Sequence, residues 1–285
     1  LMHRLRSERT GISYLSNEAE DAPVVLCLHG FPDIPRTWAS LTEDLRDAGY
    51  RVVSPWLPGY APSSLEGPFD MPSLADRFLA FVDEIPPGAT VRIVGHDWGS
   101  LIAQCLLAKE PARFRAAALL AVPHGLAFQT NLEEYPGQLG RSAYVGLFQL
   151  PLFSDRVVRA FDFSFIERLW RKWSPGFEPG DDYFDELKLC LRSSMPAPLR
   201  YYRNIPKLKA FRETRQILGA GPIVVPTIYL HGERDGCVAP ELCQGQEAWF
   251  SALFEQLILA EAGHFVHLER PAEVNAAIVR WFQSH

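Results

Sequence analysis

Three side chains could run a two-step displacement, and each stands just after an apolar run: Asp97, Asp235 and His264. Asp97 is the centre of Gly95-His96-Asp97-Trp98-Gly99, between Val91-Arg92-Ile93-Val94 and the helix-forming run Ser100 to Lys109. A glycine on each side of a central residue, between strand and helix, fits a nucleophile elbow. Such a turn holds its central side chain in a strained backbone, exposed at a helix N-terminus. The flanking positions must be small because strand and helix pass close to them. A carboxylate there is a poor acyl-transfer nucleophile, but it can attack an electrophilic sp³ carbon. The product is an alkyl-enzyme ester that water then hydrolyses. The competing reading makes Asp97 the N-cap of the helix that follows. Asp235 ends His231-Gly232-Glu233-Arg234-Asp235 and could instead cap the next turn, with Glu233 as a neighbouring competitor. His264 ends Glu261-Ala262-Gly263-His264, with His267 three residues further on as a decoy. In order, the three read as nucleophile, acid and base.

The elements that must position them alternate between strand and helix. His3 to Leu15 reads as an edge hairpin around Thr10-Gly11. Val24 to Leu28 is a continuous apolar strand, of the kind buried on both faces of a parallel sheet, and it ends at His29-Gly30-Phe31-Pro32. Trp38 to Ala48 reads as an amphipathic helix, Arg51 to Ser54 as a strand, and Leu74 to Ile85 has helical spacing. After the elbow come the strand Arg115 to Val122, the strand Val225 to Leu230, a helix from Pro240 to Phe250, the strand Gln256 to Ala260 and the helix Pro271 to Phe282. The alternation predicts an α/β fold with a doubly wound, mostly parallel sheet. In such a sheet, sites form where loops leave the carboxyl ends of strands, and all three candidate residues lie on such loops.

Between His124 and Pro222 the alternation stops. This stretch reads as helical and holds 16 of the chain's 34 Phe, Trp and Tyr residues. Residues 1–123 and 223–285 are expected to form the core domain, and 124–222 a helical cap that excludes water and shapes an apolar pocket. The plainer alternative is a second helical core without a ligand.

Composition narrows the function classes. A chain of 285 residues with 47% hydrophobic content can bury a full core. A net charge of −6 and a pI near 5.8 leave no basic footprint for nucleic acid. Five cysteines without regular spacing read as reduced intracellular thiols, and Cys237 and Cys243 lack the second ligand pair of a zinc site. No apolar leader is expected in Leu1 to Tyr14, and the longest apolar run, Ala116 to Val122, is too short to span a membrane.

With these motifs assembled, the chain resembles the α/β-hydrolase family, and within it the epoxide hydrolases, over nearly its whole length. His29-Gly30-Phe31-Pro32 is similar to the family's HGxP oxyanion loop, and the Asp97 pentapeptide to its G-x-D-x-G elbow. Gly232 to Asp235 and Gly263-His264 resemble the acid and base loops, in the family's chain order. Tyr144-Val145-Gly146-Leu147-Phe148-Gln149 resembles the first ring-opening tyrosine segment, and Tyr201-Tyr202-Arg203-Asn204 the second. Ala61 departs from the family's GxGxS segment, where a second glycine is usual.

The resemblance implies conversion of small hydrophobic epoxides and water to vicinal diols, a detoxifying activity in the cytoplasm. It implies no cofactor, no metal, no membrane anchor, and a monomer or homodimer. Asp97 would be the nucleophile, His264 the base and Asp235 the acid that orients it. Tyr144 and Tyr202 would donate to the epoxide oxygen, with Tyr201 the alternative to Tyr202. The backbone N–H groups of Phe31 and Trp98 would form the oxyanion hole, and Trp98, Phe31, Pro32, Phe148 and Phe265 would contact substrate. Phenols suit this chemistry because they stay protonated at neutral pH yet donate strongly to an alkoxide. Two alternatives stand beside it. A haloalkane dehalogenase shares the Asp elbow, but its halide needs N–H donors, and the first loop offers Pro32 rather than an Asn. A non-catalytic binder of hydrophobic ligands would have no need of His264.

Overall fold

The computed structural model describes residues 2–17, 19, 21–85 and 88–285. Eight strands form one sheet: β1 Met2–Arg6, β2 Ser13–Asn17, β3 Val24–Leu28, β4 Arg51–Pro55, β5 Val91–His96, β6 Phe114–Leu120, β7 Thr227–Gly232 and β8 Phe254–Leu259. Their spatial order is β1-β2-β4-β3-β5-β6-β7-β8. The hairpin β1–β2 and the β2–β4 pair are antiparallel, and all remaining pairs are parallel. The expected edge hairpin and parallel core are both present.

The sheet is covered on both faces, which explains the unbroken apolar runs. Side chains alternate between two cores. Val24, Leu26 and Leu28 of β3, with Val91 and Ile93 of β5, belong to one. Val25 and Cys27, with Val94 and Leu120, belong to the other. Helices α1 Ala39–Asp47 and α12 Pro271–Ser284 pack together over the second face. Helices α2 Met71–Val82 and α3 Trp98–Lys109 pack together over the first. The α2 N-terminus is capped by Asp70, whose carboxylate accepts from the Ser73 N–H at 3.1 Å.

Between β6 and β7 the described residues are helical: α4 Gly125–Leu132, α5 Gly137–Arg141, α6 Ala143–Phe148, α7 Phe153–Trp173, α8 Asp181–Ser194, α9 Leu199–Asn204 and α10 Leu208–Leu218. Helix α10 returns to the sheet layer and packs on α2 and α3. Helix α7 is interrupted at residues 160–163, where Phe161, Asp162 and Phe163 have positive φ. After β8 the short helix α11 Val266–Glu269 precedes α12.

One expected helix is absent. Pro240 to Phe250 forms two 3₁₀ turns, Pro240–Cys243 and Gln246–Trp249. Gly245, at φ 71°, turns the chain left-handed between them and breaks the α-helical path. No helix is long and apolar enough to cross a membrane among the described residues.

Candidate active site

The β5–α3 turn is an elbow. Asp97 sits at φ 52°, ψ −118°, a strained conformation for a residue with a side chain. Glycine is required on both sides by close approach. A Cβ on Gly95 would collide with the Gly99 carbonyl, and one on Gly99 with the Leu28 carbonyl at the end of β3. Asp97 stands at the N-cap position of α3, but its carboxylate accepts nothing from that helix. Instead Oδ1 accepts the Phe31 backbone N–H at 2.8 Å. The first N–H groups of α3, that of Trp98 among them, have no partner within the helix.

Asp235 and His264 reach the same point from the ends of β7 and β8. His264 Nδ1 bonds Asp235 Oδ2 at 2.8 Å, and His264 Nε2 stands 3.6 Å from Asp97 Oδ2. Asp235 Oδ1 accepts the N–H groups of Cys237 at 2.7 Å and Val238 at 2.8 Å. Neither competitor takes these places. Glu233 accepts from the Glu261 N–H at 3.2 Å, and His267 Nε2 bonds Thr37 Oγ1 at 2.5 Å.

Burial alone would push the His264 imidazole down, but ionised Asp235 and then Asp97 outweigh it and lift it to about 10. Burial disfavours the charged form of Asp235, yet its charge and hydrogen-bond interactions with His264 hold it below the ordinary carboxylate value. The neighbouring carboxylates therefore favour the charged form of the His264 imidazole. Loss of charge on Asp97 would lower His264 toward the range of a base.

The helices after β6 supply an aromatic roof. The rings of Tyr144 and Tyr202 lie 5.5 Å apart, edge to face, and both meet Phe148, at 5.5 and 5.1 Å. Phe31 from the β3 loop touches Tyr202 at 5.1 Å and Phe148 at 5.6 Å, and Trp98 touches Tyr202 at 5.1 Å. Two crossed bonds lock α6 to α9. Gln149 Nε2 donates to the Tyr202 carbonyl at 2.8 Å, and Arg203 Nε donates to the Phe148 carbonyl at 2.9 Å. Arg203 also pairs with Asp155 at the start of α7.

Tyr201 and Tyr202 are both buried, but only one hydroxyl is already committed. Tyr201 donates to the Pro58 carbonyl at 2.6 Å. The Tyr202 hydroxyl has no hydrogen-bond partner among the described residues. Burial, followed by the Tyr144 and Asp97 charges, holds Tyr202 well above the ordinary phenol value. Burial, followed by Cys237 and Asp97, does the same to Tyr144, whose hydroxyl lies 3.6 Å from Cys237 Sγ. The Pro32 carbonyl accepts the Trp170 indole N–H at 3.1 Å, and Phe265 lies flat on Trp170, ring centroids 3.4 Å apart.

The sequence profile of the alpha/beta hydrolase fold matches residues 23–271. The chain belongs to the α/β-hydrolase fold family. Epoxide hydrolase 3 of Xenopus tropicalis is 27% identical to this hydrolase over 96% of the chain and 75% of its own length. Epoxide hydrolase A of Mycobacterium tuberculosis is 27% identical over 91% of the chain and 90% of its own length. Among solved structures, potato epoxide hydrolase I superposes with a TM-score of 0.85 at 22% identity, covering 100% of both chains. That likeness extends the family's fold to the whole molecule.

Two features of this hydrolase's site were not legible in its sequence. Trp173, at the end of α7, places its ring 5.0 Å from Tyr144 and 5.3 Å from His264. Its carbonyl accepts the N–H of Gly236 at 2.9 Å and that of His264 at 3.0 Å, so one peptide from the roof ties the acid and base loops together. Beside it, Ser174 Oγ accepts the Phe265 N–H at 3.0 Å and donates to Glu269 at 2.5 Å. Cys237 is the second feature, its thiol buried next to the Tyr144 hydroxyl. Only the aromatic density of the roof hinted at Trp173, and Cys237 was marked only by its spacing from Cys243 and its distance of two residues from Asp235.

Proposed function

We propose that this protein is an epoxide hydrolase that works through a covalent ester on Asp97. The observation that carries this reading is the pair of roof phenols, half-buried Tyr144 and buried Tyr202, with rings 5.5 Å apart on the helices that follow β6. Asp97 Oδ2 attacks an epoxide carbon while the phenols donate to the departing oxygen. Push and pull then act on one strained C–O bond. Both phenols stay protonated at neutral pH, as donors must. The relatives named epoxide hydrolases support the same reading. The helices between residues 124 and 222 act as a cap on a core made of residues 1–123 and 223–285, except α10, which packs with α2 and α3 in the core layer.

Esterification removes the Asp97 charge, and with it part of what holds His264 protonated. The imidazole then becomes a base for water when hydrolysis requires one, with Asp235 fixing its tautomer. The Phe31 N–H already faces the carboxyl group, and the Trp98 N–H at the helix start joins it for the tetrahedral oxyanion. Trp98, Phe31 and Phe148 line the apolar side of the substrate.

The test is a His264→Gln variant incubated with aryl and alkyl epoxides and, separately, with haloalkanes. Mass spectrometry should find protein plus one epoxide mass, mapped to Asp97, with little diol released. In heavy-oxygen water, first-turnover diol from wild type should carry unlabelled oxygen from Asp97. Solvent oxygen in that first diol would overturn the ester mechanism. Adducts from haloalkanes alone would convert the reading to a dehalogenase.

A further inference from the structure

Three potential metal-binding atoms of different chemistry converge in this site. Cys237 Sγ, a ring nitrogen of His264 and a carboxylate oxygen of Asp97 lie within 4.8 Å of one another, and all three residues are buried. His264 Nε2 makes no hydrogen bond among the described residues. Asp97 Oδ1 accepts the Phe31 N–H, while Oδ2 stands 3.6 Å from Nε2. The hydrolytic reaction uses the carboxylate and the imidazole but has no task for a thiol.

Sulfur, imidazole nitrogen and carboxylate oxygen together suit a borderline-soft divalent cation. Calcium and magnesium prefer all-oxygen sites. Around tetrahedral zinc, with bonds of about 2.0 to 2.3 Å, ligand atoms stand roughly 3.3 to 3.7 Å apart. The Asp97–His264 separation of 3.6 Å already falls there. Cys237 Sγ has to approach by up to about 1 Å, within reach of a small rotation of its side chain. The outer shell is also built. Asp235 holds His264 Nδ1 at 2.8 Å, the carboxylate–histidine arrangement that orients a metal-binding imidazole. The Tyr144 hydroxyl, 3.6 Å from Sγ, can donate to a thiolate.

We propose that Cys237, His264 and Asp97 form a reversible inhibitory site for Zn²⁺ and similar thiophilic divalent cations. Three metal–ligand bonds form. The thiol proton and any proton on His264 Nε2 pass to solvent, and nothing is oxidised or reduced. A bound cation occupies the nucleophile and the base together, so alkylation and hydrolysis both stop. This inference does not depend on which electrophile the enzyme opens.

Cd²⁺ titration of the full-length protein tests it, because a Cd–thiolate bond has its own ultraviolet charge-transfer absorption. Wild type should develop the band with one equivalent of Cd²⁺, and Zn²⁺ should suppress it. Cys237→Ser should abolish the band, and Cys237→Ala serves in its place if circular dichroism finds the serine variant misfolded. His264→Gln and Asp97→Asn should each weaken Cd²⁺ binding by on the order of 100-fold. Cys243→Ser should keep the band, although that thiol lies 3.5 Å from His231. In turnover assays, Cys237→Ser should need at least about 100-fold more Zn²⁺ for half-inhibition relative to its own metal-free rate. No band in wild type, or a band that survives Cys237→Ser, would overturn the site. So would a band lost with Cys237 but indifferent to both His264 and Asp97.

Discussion

The floor and the roof of this site are held by different forces. Asp97, Asp235 and His264 are fixed by directional hydrogen bonds, largely from backbone groups of Phe31, Cys237, Val238 and Trp173. The side chains of Tyr144, Phe148 and Tyr202 are held by one another's ring edges, on helices that two hydrogen bonds join. Histidines divide the same way. None of the chain's eight lies between residues 125 and 230, whereas His29, His96, His231 and His267 are buried in the loops and strand ends around the floor. A floor made of hydrogen bonds leaves its groups little freedom and sets charge. A roof made of rings sets shape and, in the proposed reaction, supplies the phenol donors. The comparison predicts where the molecule breaks and how.

The largest effect should come from taking the donors out of the roof. Tyr144→Phe or Tyr202→Phe should each slow alkylation of Asp97, and the double variant should lose about 10²- to 10⁴-fold, the usual contribution of a general acid. The two losses should not simply add, because one phenol partly covers for the other on a shared oxygen. Hydrolysis of the ester, which belongs to the floor, should change little. Pre-steady-state quenching of tryptophan fluorescence separates the two steps. A double variant slowed only a few-fold in alkylation would return both tyrosines to packing.

Acid should strike the floor while sparing the roof. Burial holds His29 at about 4, His96 at about 3, His124 at about 4, and His231 and His267 below the usual 6.5. Their hydrogen bonds agree with neutral rings. His29 Nε2 accepts from the Leu57 N–H, and Nδ1 faces the Gly30 carbonyl. Below pH 6.5 the unfolded chain takes up these protons and the folded chain does not, so stability falls as pH drops from 6.5 toward 4. Asp33, buried and lifted to about 7, opposes this by holding a proton that the unfolded chain releases. His264 acts at the other end, its contribution complete below 6.5 and lost as pH rises through about 10. Five histidines against one aspartate leave several net protons, each worth about 1.4 kcal/mol per pH unit. Thermal melts should fall steeply below pH 6.5. A melting temperature that stays level from there down to pH 5 would contradict neutral burial of these rings.

The smallest effect should appear where floor and roof meet. Ser174→Ala removes an acceptor from the Phe265 N–H and a donor from Glu269, at a cost of about 1 to 3 kcal/mol. The loop loosened is the one that carries His264, so ester hydrolysis should slow a few-fold while alkylation is nearly unchanged. Single-turnover rates for both steps decide it. An equal loss in both would mean that Ser174 only supports the fold.

Much of this was readable from residue types, and the places where reading stopped have physical reasons. Gly95 and Gly99 were legible because strand and helix leave no room for a Cβ there. Gly232 and Gly263 marked the acid and base loops for the same reason, since a Cβ on Gly232 would strike the Gly263 carbonyl. Tyr201 and Tyr202 could not be separated, because neighbours on a helix point in directions about 100° apart. The free phenol was decided by Pro58, a residue 143 positions away that engages Tyr201. Phe265 was expected against substrate, and the stacking of its ring on Trp170 was not readable from its segment. The stretch after Pro240 had helical composition, and the backbone at Gly245 overrode it.

The sequence by itself determined the sheet, its cover on both faces and the identity of the three polar residues at its strand ends. Those features follow from local sterics and from periodicity, which each segment carries within itself. Tertiary structure alone decided which polar groups are already bonded and which are left to act. Trp173 binds loops 63 and 91 residues away through a single carbonyl, at Gly236 and His264. Cys237 meets His264 and Asp97 only because three strands end at one point. Whether a hydrogen-bonding group is free depends on partners brought from distant segments, and no local pattern encodes that.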